Sequence, residues 1–180
     1  MRQLRIITGT FLTALAACGH PVPPGPITLV DDAGDTFRLA RPAERVVSLI
    51  PATTELLFAI GAGPAVVGRT RFDDWPPAAA SVPSVGDGLE PSLEAVLARK
   101  PDLVLLYRGS GTASAAAHLR SLGIPALAVR TDRLADVPRL ARLLGTATGH
   151  RAGADSVATR FTRELDSVSV HAAGPPTTRQ

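Results

Sequence analysis

The chain predicts an α/β fold: a parallel sheet flanked by helices, with a β-hairpin in front and a long helix behind. Three observations carry this expectation. Short apolar runs such as "RVVSLI" and "DLVLLY" read as buried strands. Helical stretches separate them, and strand–helix alternation closes as a parallel sheet covered on both faces. A hydrophobic share of 45% and a charged share of 19% over 180 residues suit one packed domain with appendages.

The first element is not part of the fold. "MRQLRIITGTFLTALAACGH" has a positive start at Arg2 and Arg5, an apolar run from Ile6 to Ala17, and then Cys18. The run is too short to span a bilayer comfortably, so residues 1–17 read as a signal peptide. Ala16 and Ala17 before Cys18 resemble the lipobox of bacterial lipoproteins. That resemblance implies a lipidated Cys18 that anchors the chain, and it explains a single cysteine better than a disulfide does. Residues 18–26 include "GHPVPPGP", whose four prolines suit a stiff, extended tether.

The folded part starts with "ITLVDDAGDTFRLA", a hairpin whose turn offers Gly34 for positive φ. A strand at Arg45–Ile50 is stopped by Pro51. The helix after it has Thr53 or Thr54 as candidate cap and ends at Gly61 and Gly63. "AVVGRT" is a second strand. The twenty-odd residues from Arg71 to Pro91 form a loop long enough to be functional or mobile. A short helix at Ser92–Arg99 leads into the strand Asp102–Tyr107. A helix at Ser114–Leu122, the strand "IPALAVR" and a helix within Asp132–Thr148 follow. The last helix carries Val157, Phe161, Leu165 and Val168 at i, i+4, i+8 and i+11.

Several chemistries are disfavoured. Formal charge is +3, but removal of Arg2 and Arg5 leaves 17 basic against 16 acidic side chains, interspersed, with no basic stripe for a nucleic acid. The first strand runs into "PATTE" rather than a glycine-rich phosphate loop, and "RGSG" at 108–111 lacks the dinucleotide pattern. No G-x-S-x-G elbow occurs. His20, His118, His150 and His171 are scattered, and no pair has zinc-ligand spacing. Asp73 and Asp74 suit turn capping better than a metal. Neither catalytic nor metal-ligating residues are therefore assigned, and no cofactor is expected.

Aromatics remain. Phe72, Trp75 and Tyr107, three of seven aromatic residues, all follow predicted strands. In parallel sheets, ligands bind at the carboxyl ends of the strands. Packing of each ring onto its own loop is the simpler reading for any one of them. Three at one edge, with Arg108 beside them, favour a cleft for a large flat ligand.

The run "RVVSLIPATTELLFAIGAGPAVVGRTRFDDWPPAA", followed by "SLEAVLARKPDLVLLYRG", resembles the substrate-binding proteins of ABC importers for cobalamin and iron siderophores. These are the helical-backbone receptors of periplasmic binding protein class III, and "DDWPP" and "YRG" look most like their cobalamin-binding members. The resemblance implies a Rossmann-like N-terminal ligand-binding lobe at 27–148 and an inter-lobe backbone helix at 149–172. It also implies a truncated tail at 173–180, with the C-terminal lobe missing. Phe72 matches a ring that contacts cobalamin, and Tyr107 matches one in the pocket wall. A further pocket position, usually aromatic, falls near Gly88. Glu94 matches a glutamate that docks on the permease. It is expected to point outward, because Leu93, Val96 and Leu97 form the buried face of its helix.

The expectation is thus a non-enzymatic, lipid-anchored receptor in a periplasm or on the outer cell surface. It would capture cobalamin, a ferric siderophore or haem through Phe72, Trp75, Tyr107 and Arg108, and deliver it to an ABC permease and its ATPase. Two alternatives stay open: a nucleotide-binding α/β enzyme, and a truncated surface lipoprotein that binds no ligand.

Overall fold

The computed structural model describes residues 25–172. The signal peptide, Cys18, most of the tether and the 173–180 tail lie outside the described residues. Among those described, no helix is long and apolar enough to cross a membrane.

A parallel four-stranded sheet forms the centre, built from β3 (Val46–Ser48), β4 (Val66–Gly68), β5 (Leu103–Tyr107) and β6 (Ala126–Val129), in the order β4-β3-β5-β6. Successive residues of β5 face opposite sides, as the pleat dictates. Leu103 and Leu105 join one core with Val46, Leu57, Leu127, Leu140 and Leu144. Val104 and Leu106 join the other with Val47, Leu49, Val96, Leu119 and Ala128. Because both faces are covered, the strands are apolar without alternation, which is what made them legible.

Helices α1 (Pro51–Ala59), α4 (Asp136–Thr148) and α5 (Arg151–Ala172) supply the first core. The short α2 (Leu93–Ala98) and α3 (Ser110–Ser121) supply the second. Pro51 occupies the first turn of α1, where a missing N–H costs nothing, and Ile50 precedes it in extended conformation. Thr53 and Thr54 therefore do not cap α1; they sit inside its first turn. Ser92, by contrast, caps α2 by accepting from the Ala95 N–H at 3.2 Å. Gly149, at φ 78°, ends α4 in the left-handed region.

Two expectations are corrected. "RGSG" connects β5 to a helix, but α3 begins at Ser110, four residues earlier than expected, with Thr112 Oγ1 donating to the Gly109 carbonyl at 3.2 Å. The apolar stripe of α5 is not its buried seam. Ala154 and Ala158 are buried, Val157, Phe161 and Leu165 are half-buried, and Val168 is exposed. Small residues let α5 approach closely; a Cβ on Gly153 would fall 2.1 Å from the Ile60 carbonyl oxygen. The hairpin expected at the start is present as β1 (Ile27–Val30) and β2 (Thr36–Leu39), and its turn is docked on the sheet. Asp31 is buried and accepts from the backbone N–H groups of Ala33, Asp35 and Ala128 and from Arg120, at 2.9–3.0 Å. That buried charge is fully partnered, which makes its burial tolerable.

Candidate functional site

Chain order fixes where a ligand can enter. From β3 the chain crosses to β4 on one side and later to β5 on the other. The crevice beyond the carboxyl ends of β3 and β5 is therefore the topological switch point. A cleft of about 430 Å³ opens there. Its walls come from each arriving segment: Leu49, Ile50 and Pro51 after β3, Thr70 and Phe72 after β4, Asp87, Gly88 and Leu89 from the long loop, and Tyr107 ending β5.

Phe72 is 55% exposed, so its ring is spent on neither core. Arg71 lies over it, 4.7 Å from guanidinium carbon to ring centre, and pairs with Asp87 at 3.0 Å. That stacking occupies one face of the ring. Tyr107 is half-buried, and its hydroxyl donates to Asp132 at 2.7 Å. This hydrogen bond, reinforced by desolvation, raises the Tyr107 pKa and keeps the phenol protonated. At Gly88 a Cβ would lie 2.4 Å from the Leu49 carbonyl oxygen, so that wall is bare backbone and Leu89, 62% exposed, supplies the nearby apolar rim.

The long loop is fastened. Arg69 donates through Nε to the Ala79 carbonyl at 2.8 Å and through Nη1 to the Thr70 carbonyl at 2.7 Å. These bonds pin the one-turn Pro77–Ser81 segment against the end of β4. Isolated bridges join Arg69 to Ser84 and Gly86 to Pro91.

The predicted residues do not all meet. Phe72 and Tyr107 share the cleft. Trp75, 63% exposed, lines a separate groove of about 330 Å³ on the other side of the start of α1, with Leu56, Val137, Val157 and Phe161. The three rings therefore do not share one cleft: Phe72 and Tyr107 line one hollow, with Pro51 of α1, and Trp75 another, with Ala52 and Glu55 of the same helix. Arg108 is exposed just beyond Tyr107 and is not part of the cleft wall. Glu94 is exposed in the first turn of α2, whose Val96 is buried and whose Leu93 and Leu97 are half-buried. Asp73, read from the sequence as a turn residue, is 1% exposed and accepts hydrogen bonds from the hydroxyls of both Thr54 and Thr70, which sequence reading missed. Among the described residues, no three His, Cys, Asp or Glu side chains gather as a metal site.

Known proteins share this architecture. The model of the periplasmic binding protein family matches residues 46–174. An uncharacterized ABC transporter substrate-binding lipoprotein of Bacillus subtilis is 31% identical over 86% of this chain and 53% of its own length. A vitamin B12-binding protein of Pectobacterium carotovorum is 33% identical over 68% of this chain and 44% of its own. Among solved structures, the periplasmic vitamin B12 binding protein of Vibrio cholerae superposes with TM-score 0.68 and 27% identity, over 74% of this chain and 52% of that one. A periplasmic heme-binding protein from Roseiflexus gives 0.63 and 28%, over 69% and 48%. The chain spans about half the length of the relatives it matches. With the family model covering most of the chain and the fold agreeing, the chain belongs to the periplasmic binding protein family.

Proposed function

We propose that this chain captures a large flat ligand for an ABC importer, and that the cleft of Phe72 and Tyr107 is where the ligand sits. One observation carries the reading: an apolar cleft at the topological switch point presents an exposed phenylalanine ring and a phenol already held in place. Burying a ring of that size against a ligand is worth about 1.5–3 kcal/mol, with further gain from stacking. Cobalamin is the first candidate and a ferric siderophore or haem the second; the names of the relatives support both classes. Residues 27–148 then act as a ligand-binding lobe and 149–172 as its connecting helix. Arg108 meets a polar substituent of the guest. Glu94, exposed on α2, meets the permease, and a lipidated Cys18 keeps the receptor at the membrane. The family is one of solute-binding proteins, and no chemical step is assigned to the chain.

Equilibrium titration of the full chain with cyanocobalamin, haemin and a ferric catecholate, with ATP and NAD as controls, tests this. Saturable binding of one of the first three supports the proposal. Binding of a nucleotide alone overturns it in favour of a nucleotide-binding enzyme, and binding of nothing favours a lipoprotein without a ligand.

A further inference from the structure

Two carboxylates are buried among the described residues, Asp31 and Asp73, and their surroundings differ. Asp31 is met by Arg120 and three backbone N–H groups. Among the described residues, Asp73 makes no salt bridge. Its two oxygens accept from Thr70 Oγ1 and Thr54 Oγ1, both fully buried hydroxyls. A carboxylate buried without a counter-charge is costly to place. Capping its own turn would need neither burial nor a hydroxyl from a distant helix.

What this arrangement does achieve is a junction. Thr54 belongs to the first turn of α1, Thr70 to the segment just after β4, and Asp73 joins them. The two exposed rings flank the junction. Phe72 immediately precedes it, and its N–H donates to Thr70 Oγ1 at 3.2 Å. Trp75 follows two residues later and turns into the other groove.

We propose that Asp73 is a positioning residue: its grip on Thr54 and Thr70 sets Phe72 and Trp75 on opposite sides of α1 before any ligand arrives. Ordering the loop in advance removes an entropic cost from binding, so the clasp raises affinity without touching the guest. The consequence for affinity rests on the Phe72 cleft being the ligand site.

Trp75 is the only tryptophan of the chain, so its fluorescence reports this loop alone. The test compares the full chain with its Asp73→Ala, Asp73→Asn and Thr54→Val variants. Acrylamide quenching, fluorescence anisotropy, a urea melt, and titration with cyanocobalamin and haemin are read for each. In Asp73→Ala the quenching constant rises about twofold, anisotropy falls, and the dissociation constant rises about tenfold, ~1.4 kcal/mol. Asp73→Asn rescues both, because an amide still accepts from one hydroxyl and donates to the other. If Asp73→Ala does not fold, Thr54→Val, which removes one arm of the clasp, carries the same readouts. A folded Asp73→Ala chain that is less stable, yet has native anisotropy, quenching and affinity, overturns the proposal: Asp73 would then serve stability only. If the unaltered chain binds neither probe and no ferric catecholate, the ligand reading fails separately. The Trp75 signal still decides the clasp, an increase in mobility supporting it and no change overturning it.

Discussion

Two hollows flank the first turn of α1, and they are built on different principles. The Phe72–Tyr107 cleft is made by segments leaving β3, β4 and β5, so sheet topology alone puts its walls together. The Trp75 groove is made by the sides of α1 and α5 with Val137 of α4, so it exists because helices pack beside one another. The first presents backbone at Gly88, an exposed Phe72 ring and a tethered phenol. The second carries Glu55, Arg160 and Glu164 around its apolar floor. An aromatic at the sheet's carboxyl edge therefore does not by that fact line the cleft at the switch point; Trp75 lines the other hollow.

The two hollows can be perturbed separately, and two glycines give the largest effects on stability. A methyl at position 153 would strike the Ile60 carbonyl in a packed helix crossing. Gly153→Ala should cost near the top of the range of about 1–3 kcal/mol for overpacking in a urea melt. It should leave the ligand affinity of the folded chain within about threefold, ~0.65 kcal/mol. A methyl at position 88 would strike the Leu49 carbonyl, but from a loop that can yield. Gly88→Ala should cost about 1 kcal/mol of stability and weaken ligand binding by about tenfold, ~1.4 kcal/mol, because its strain falls on the cleft wall. Equal effects of the two on affinity would erase the distinction between the hollows.

How much of this could be read from the chain itself follows the same division. The strands were legible because a sheet covered on both faces needs continuous apolar runs, as in Leu103–Leu106. Phe72 and Tyr107 were placed at the ligand edge because one comes shortly after a strand and the other closes one. The separation of Trp75 was not legible, since it depends on how far α1 projects above the sheet, which no local pattern encodes. The same holds for α5: its i, i+4 stripe named Val157 and Phe161, while the tight contact is made by Gly153, Ala154 and Ala158, whose small size carries no hydrophobic signal. Asp73 read as a turn residue because its partners lie 19 and 3 positions away, and only the fold brings Thr54 to it.

Smaller effects sharpen the picture of the cleft. Glu94→Ala should leave ligand titrations unchanged, since its side chain is exposed on α2 away from the cleft wall, and, on the proposed docking role, slow uptake through an intact transporter. Equal uptake by both forms would remove Glu94 from the docking surface. The Tyr107–Asp132 hydrogen bond has a pH signature. The folded pKa lies above the ordinary value of 10.0, so the bond's contribution to stability is complete below that value and is lost as pH rises through the folded pKa. The urea midpoint of the chain should therefore fall more steeply above pH 10 than that of Tyr107→Phe. Parallel curves would mean the phenol is not held as described.

The central claim is that the guest is gripped by Phe72 and not by Trp75. The most direct measurement is the dissociation constant of the tightest-binding probe, cyanocobalamin or haemin, for Phe72→Ala and Trp75→Ala side by side. The account predicts a loss of about 10- to 30-fold for Phe72→Ala, ~1.4–2 kcal/mol, and less than about threefold, ~0.65 kcal/mol, for Trp75→Ala. An equal or greater loss in Trp75→Ala, or native affinity in both, would contradict it.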